Sequence, residues 1–238
     1  MTTTTRIEVT AGDGVPRCRL SAGPLAVRRL SVADPGSVRV ALVAAGALLL
    51  AGDEVRIEVA VDGPVTVEVV ETAGTVAYDM RGGRARWDVW VELTGGARMA
   101  WHGEPFVVAG GASVDRSTTG LVGAGSVLAL RETLVFGRAG EVGGALRTRT
   151  RIDLGGVPAL AEDLDLSPAG RVRWTTMRGQ RCLDTVTTVG ARLPDERLTL
   201  HAEQEASVAR SLSDEAHRSA MAGVWSAARA AVAPRIPA

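Results

Sequence analysis

The residues able to do chemistry are few and scattered. The histidines are His102, His201 and His217, and the cysteines are Cys18 and Cys182. Borderline divalent metals favour imidazole and thiolate ligands. These five residues show no clustered spacing, so no tightly held metal is expected. A serine-type site needs a histidine matched to a nucleophile and an orienting carboxylate; Ser126 and His102 can be paired on paper, but their spacing carries no signal. All 27 basic residues are arginine, which excludes Schiff-base and P-loop chemistry, both of which need lysine. Neither a G-x-S-x-G elbow nor an H-E-x-x-H helix is present. What remains is a dispersed set of carboxylates: Asp53, Glu104, Asp115, Glu141, Glu162, Asp163 and Asp184. Weak oxygen ligands let a borderline cation move on, so these acids suit transient passage; the competing reading of each is a turn former or solvated strand residue.

Charge narrows the partners. The 27 acidic residues balance the 27 basic ones, unlike a generic nucleic-acid binder, which carries excess positive charge to displace counterions from phosphates. Arg147, Arg149 and Arg151 alternate with Thr148, Thr150 and Ile152. With Arg171 and Arg173 they form either a surface for phosphate or an acidic partner, or the wet face of a sheet with acids opposite.

The elements that must carry these residues are strands. Val55, Ile57, Val59 and Val61 alternate with Arg56, Glu58, Ala60 and Asp62; after Gly63-Pro64, Val65, Val67 and Val69 do the same. Side chains of a strand point to opposite faces with period two, so each segment has one apolar face. The preceding run, Ala41 to Ala51, is about 11 residues, short of the roughly 20 that cross a bilayer, and reads as one or two buried strands. Further strands are expected at Arg6–Thr10, Arg17–Leu20, Leu25–Leu30, Thr75–Met80, Ala85–Leu93, Val127–Phe136, Ala159–Leu166, Arg171–Met177, Cys182–Val189 and Arg197–Ala202. With the remaining short segments this makes roughly 16 short strands at close spacing, an all-β architecture. Near the C-terminus the period changes: Ser213 is placed to cap a helix opening with Asp214 and Glu215, Ala216, Ala220, Val224, Ala227, Ala228 and Ala231 follow at helical spacing, and Pro234 stops it. Glu203–Ser211 reads as a preceding helix. The expectation is a single domain over 1–238, β-rich to residue 202, with a helical tail over 203–233. The N-terminus, MTTTTRIEVT, lacks the pattern of a secretory signal, which points to a cytoplasmic protein.

Four stretches, in order, resemble the UreD/UreH family of urease accessory proteins. They are Gly52-Asp53-Glu54-Val55 closing the apolar run, Thr72 to Tyr78, Glu104-Pro105-Phe106, and Glu132 to Glu141 with its Gly137-Arg138 and Gly140-Glu141 pairs. The likeness is best over Leu25 to Leu166. The Gly-Arg to Gly-Glu spacing is two residues shorter than the family's usual form. The resemblance implies a non-enzymatic scaffold: an elongated, β-helix-like stack of sheets with a few helices. It implies work on apo-urease with a UreF-like helical protein and a UreG-like GTPase, and an internal path for nickel with no tightly bound cofactor. By motif position Asp53, Glu104, Glu141 and Glu162 would line that path. Arg138 would hold its loop through an acid, with Gly52, Gly137 and Gly140 shaping the turns. Apart from the resemblance, the apolar face of the tail helix, with Val224, Trp225 and Ala228, either packs against its own sheet or lies in a groove of a partner protein, the sharper alternative and the one expected. Two other classes are weighed against this: an all-β hydrolase built on His102 and Ser126, and a carbohydrate-binding module using Trp87, Trp90, Trp101 and Trp174 as a platform.

Overall fold

The computed structural model describes residues 4–194 and 198–233. In chain order the strands are β1 (Thr4–Thr10), β2 (Arg17–Ser21), β3 (Leu25–Leu30), β4 (Ser37–Ala44), β5 (Glu54–Asp62), β6 (Thr66–Glu71), β7 (Thr75–Ala77), β8 (Ala85–Thr94), β9 (Arg98–His102) and β10 (Phe106–Val108). They continue as β11 (Ser113–Val122), β12 (Val127–Phe136), β13 (Ala145–Leu154) and β14 (Val157–Asp165). After a helical turn, α1 (Pro168–Arg171), come β15 (Cys182–Val189), β16 (Thr199–His201), β17 (Ala206–Ser213) and the helix α2 (Met221–Val232).

From β4 onward the chain winds between two sheets. One has the order β14-β13-β11-β8-β5-β1-β2; the other runs β16-β17-β15-β12-β9-β6-β4-β3, with β7 and β10 in a side branch. The winding stacks like on like: β5, β8, β11 and β13 are parallel neighbours, as are β4, β6, β9 and β12. Each coil buries its apolar face only against its neighbours, the packing logic of a solenoid. The ends are closed by antiparallel pairs, β1–β2 and β3–β4 at one end and β13–β14, β12–β15 and β15–β17 at the other. The expected all-β, β-helix-like stack is the architecture present.

The alternations do what their period dictates. Val55, Ile57, Val59 and Val61 of β5 and Trp87, Val89, Val91 and Leu93 of β8 point between the sheets, and one apolar cluster runs from Ile7 to Ala206. A second cluster lies on the far side of the second sheet, where Met221, Val224, Trp225, Ala228 and Val232 of α2 cover Ala100, Val127, Ala129, Val186 and Ala209.

Four local expectations are corrected. The apolar run is one strand and a largely exposed loop: β4 ends at Ala44, Ala45 to Ala47 and Leu50 are exposed, and Leu49 alone is fully buried, with φ of 60° and its carbonyl accepting from Tyr78 N at 3.3 Å. Arg171–Met177 is not a strand but the end of α1 followed by turns. It is pinned because the buried Arg171 guanidinium donates to the carbonyls of Gly144, Leu166, Val142 and Gly143. Glu203–Ser211 is not a helix: β17 spans most of it, because its backbone pairs with β15 from Val189↔Ala206 to Cys182↔Ser213, a tertiary pairing that overrides local propensity. The tail helix begins at Met221 rather than after Ser213; Asp214 and Glu215 precede a 3-10 turn at Ala216–Arg218, and Ser219 Oγ accepts from Met221 N at 3.2 Å. The helical part of the tail is therefore 221–232. Arg197 and Pro234 lie outside the described residues.

Candidate functional site

The second sheet is interrupted in two successive coils. β6 stops at Glu71 and β7 resumes at Thr75; β9 stops at His102 and β10 resumes at Phe106. The unbroken β12 spans the gap, pairing with β9 through Val127–Arg131 and with β10 through Leu134–Phe136. The gap leaves backbone donors without ladder partners, and a buried donor must find another. The side chain of Glu71 supplies one: its carboxylate accepts from Glu104 N at 3.1 Å and from Trp101 Nε1 at 3.2 Å. Gly74 and Gly103 allow the close approach. A Cβ on Gly74 would stand 2.7 Å from Pro105 O, and one on Gly103 would stand 3.0 Å from Arg131 O.

Opposite Glu71, Arg116 projects inward from β11 and forms an ion pair with Glu132 of β12 at 2.5 Å. The guanidinium also lies 5.5 Å from the Phe106 ring centroid, a cation–π distance. Glu71, Trp101, Arg116, Thr118 and Glu132 line a cavity of about 20 Å³ between the sheets, room for about one water. Burial pushes the Glu71 carboxyl up to about 7. Arg116, Trp101 and the Glu104 amide oppose the rise, while the Glu132 charge adds to it. Two acids and a guanidinium are thus held within the sandwich, with one acid poised to take or release a proton near neutrality.

On the opposite face of the second sheet a further polar group lies beside α2. Asp184, 1% exposed, accepts from Arg131 Nη2 at 2.8 Å and from Ser219 Oγ at 2.6 Å. His102 packs its ring 5.5 Å from that of Trp225, and burial lowers its basicity.

The residues singled out by motif position do not converge on the cavity. Glu104 borders it, through its backbone. Asp53 is a turn former, its Oδ2 accepting from Leu50 N at 2.9 Å, and Gly52 beside it has φ of 87°. Glu141 closes its own loop: Oε1 accepts from Arg138 Nε and Nη2 at 2.9 and 2.6 Å, and Oε2 from Gly110 N and Arg138 N at 3.0 and 3.1 Å. These bonds, Arg138's first, hold its carboxyl down at about 2. Gly137 and Gly140 both take positive φ, and a Cβ on Gly137 would stand 2.4 Å from Glu141 O. Glu162 pairs with Arg210, Asp163 with Arg147 and Arg149, and Asp115 with Arg84. The basic face of β13 is thereby partly neutralised by acids on β14. Val224, Trp225 and Ala228 are buried against their own sheet; the expectation that they face a partner is corrected, because the face at helical spacing is the one the sheet occupies.

The sites imagined for the other two classes are not assembled. His102 aligns with Arg131 across the β9–β12 ladder, five residues from Ser126, which at about 3.3 Å per residue is roughly 16 Å along the strand. Trp87 and Trp101 are buried, whereas Trp90 and Trp174 are exposed, so no four-tryptophan platform exists. Among the described residues no three His, Cys, Asp or Glu side chains come together as a metal-holding group. No described helix is long and apolar enough to cross a membrane.

A family model, UreD urease accessory protein, matches residues 4–237. The chain belongs to the UreD family. It is 42% identical over 176 residues to Urease accessory protein UreD 1 of Streptomyces griseus, a match covering 74% of this chain and 69% of that protein. It is 33% identical to Urease accessory protein UreD of Streptomyces avermitilis, covering 70% and 68%. It is 36% identical to the UreD protein of Frankia alni, covering 68% of this chain and 55% of that longer protein. The UreD family is one of urease accessory proteins, and a urease accessory role follows for this chain.

Sequence reasoning missed Glu71, Arg116 and Glu132. The signal was present: Val65, Val67, Val69 and Glu71 share one parity, as do Val114, Arg116 and Thr118 and Leu130, Glu132 and Leu134. A charge at an apolar-face position of an alternating strand is a charge aimed into the core.

Proposed function

We propose that this chain is a cytoplasmic, non-enzymatic scaffold. It holds apo-urease together with a UreF-like helical protein and a UreG-like GTPase while nickel, its transient cargo, is delivered to the urease active site. The observation that carries the reading, beside family membership, is the Glu71–Arg116–Glu132 cluster at the interruption of the second sheet. Carboxylates enclosed between two sheets offer oxygen ligands weak enough to release nickel onward, and Arg116 keeps them charge-balanced until the cation arrives. Of the positions chosen by motif, Glu104 adjoins them, through the backbone N–H it donates to Glu71. Asp53, Glu141 and Glu162 have hydrogen-bonded or ion-pair duties that a cation would have to displace.

The test is urease activation in cells that co-express the urease subunits and the accessory proteins. Glu71→Ala and Glu132→Ala should lower both urease activity and the nickel content of purified urease while the chain still co-purifies with the complex. Full nickel loading in both variants would reject the cluster as the path. Failure of the wild-type chain to enter any complex with urease or the helical partner would reject the scaffold reading itself.

A further inference from the structure

The first sheet ends on each side in a strand with a free flank. Among the described residues β2 pairs only with β1, and β14 only with β13. Each therefore turns one row of backbone N–H and C=O groups to solvent, which is where a further strand can add. The side chains at these two edges are complementary. β2 alternates exposed Arg17, Arg19 and Ser21 with half-buried Cys18 and Leu20. β14 alternates exposed Ala161, Asp163 and Asp165 with half-buried Leu160, Glu162 and Leu164. Period two puts Arg17 and Arg19, and likewise Asp163 and Asp165, on the outer face, and turns the alternate residues toward the space between the sheets. Cys18, Leu20, Leu160 and Leu164 pack against the main apolar cluster but are only partly covered, so a strand added at either edge would complete their burial.

The charges at both edges can reach across a junction. Arg17 forms no ion pair among the described residues, and Arg19 reaches only Glu8, at 3.5 Å with both side chains exposed. Asp165 is held by Ser167 within its own turn, and Asp163, although bonded to Arg147 and Arg149, keeps 34% of its side chain exposed. Direction and shape agree with charge. β1, β5, β8, β11 and β13 run parallel, and β2 and β14 each run antiparallel to their neighbour, so the two edges point the same way. A second copy set end to end in the same orientation brings its β2 alongside β14 as a parallel pair, the pairing the coils already use. The ends are also stepped in opposite senses. At one end the first sheet projects further, with β1 and β2 beyond β5 against β3 beyond β4. At the other the second sheet projects further, with β15, β17 and β16 beyond β12 against β14 beyond β13. Like edges would oppose arginine to arginine or aspartate to aspartate. The charges that blunt each edge against its own kind thus make the opposite edge its complement.

We propose that copies of this chain associate head to tail, β14 of one adding in parallel to β2 of the next, so that the first sheet runs on from copy to copy. Backbone hydrogen bonds along the five residues of β2 supply the affinity, and the alternating side chains set the register. Asp163 and Asp165 then lie beside Arg17 and Arg19 of the next copy, and Leu164 beside Cys18 and Leu20 of that copy. The contact joins two different surfaces, so it does not close on itself, and every assembly keeps one working edge at each end. This self-association is independent of the function proposed above.

The experiment is sedimentation velocity of the purified full-length chain from micromolar to millimolar concentration. The weight-average mass should climb with concentration past that of a dimer. Raising the salt from about 0.1 M to about 1 M, which shortens the screening length from about 10 Å to about 3 Å, should weaken the association. Arg17→Glu with Arg19→Glu in one variant, and Asp163→Arg in another, should each weaken it at least tenfold with melting curves like the wild type. If Asp163→Arg melts early, Ala161→Arg on the same face of β14 replaces it. An equimolar mixture of the two variants should restore association, because each keeps the edge the other has lost. A chain that stays monomeric throughout, or association indifferent to both variants, would overturn the proposal. Loss in one variant alone would point to like edges meeting and would overturn it too, as would a mixture no better than its components.

Discussion

Substituting Glu71 with glutamine should remove a pH dependence from the stability of the fold. The carboxyl lies near the ordinary glutamate value in the unfolded chain and at about 7 in the folded protein, chiefly through burial. The folded state therefore holds the proton more tightly. The stabilisation this gives is complete below about pH 4.5 and is lost as pH rises through about 7. A rise from 4.5 to about 7, at about 1.4 kcal/mol per pH unit, corresponds to about 3 kcal/mol between pH 4 and pH 8. Glutamine has a similar shape but no charge. It can accept from only one of Trp101 Nε1 and Glu104 N, so it also loses about 1 kcal/mol of hydrogen bonding at every pH. The measured quantity is the difference in unfolding free energy between Glu71→Gln and the wild type, from urea denaturation at pH 5, 6, 7 and 8. Subtraction cancels the titration of the other groups. The variant should gain on the wild type steadily up to pH 7 and then level. A difference constant from pH 5 to pH 8 would show that this carboxyl is not raised, and the description of the cavity as a low-dielectric site would fall with it.

Three further outcomes are expected. Arg171→Ala should destabilise the fold by roughly 3–5 kcal/mol in urea denaturation, because removing a buried guanidinium strands several carbonyls at once. Trp225→Ala should cost a comparable roughly 3–5 kcal/mol by opening a cavity between α2 and the second sheet; a loss below about 1 kcal/mol would mean the helix face is not packed as described. Glu141→Gln should leave stability below about pH 2 unchanged but lower it at neutral pH: the folded carboxyl sits at about 2, so its contribution is present above the unfolded value and disappears as pH falls through the folded one. Hydrogen exchange at the Gly110 and Arg138 amides should report the same loss locally.

The parts of this fold legible in the sequence were those governed by period. β5, β6 and β8 each declared themselves through alternation, and their inward residues are the ones the alternation selects. Elements set by long-range pairing were not legible. Nothing local distinguishes Ala206–Ser213 from a helix until β15 is beside it, and nothing in Arg171–Met177 announces that a buried arginine will gather three carbonyls from a distant loop besides that of Leu166. The stacked coils are expected from the family resemblance and not from the residues themselves, because stacking Glu54 against Arg86, Arg86 against Asp115, and Asp115 against Arg147 needs only matching parity, not matching residues.

The candidate site shows the same division more sharply. Motif position drew attention to Asp53 and Glu141, which occupy glycine-bearing turns where a carboxylate has backbone amides and, for Glu141, an arginine to satisfy. Such acids carry recognisable local patterns because their partners are local. Glu71 has no such pattern: its partners, Trp101 and the Glu104 amide, come from the next coil, and its opposing charges, Arg116 and Glu132, come from two later strands. Its position becomes meaningful only when the break between β6 and β7 is stacked on the break between β9 and β10, so that an unpaired amide meets a carboxylate aimed inward. An acid whose surroundings are assembled from several coils experiences the burial that shifts its proton affinity; an acid satisfied within its own turn stays at the surface, ionised and committed. On that ground the interior cluster, rather than the turn carboxylates, is where a mobile cation would find ligands able both to accept it and to let it go.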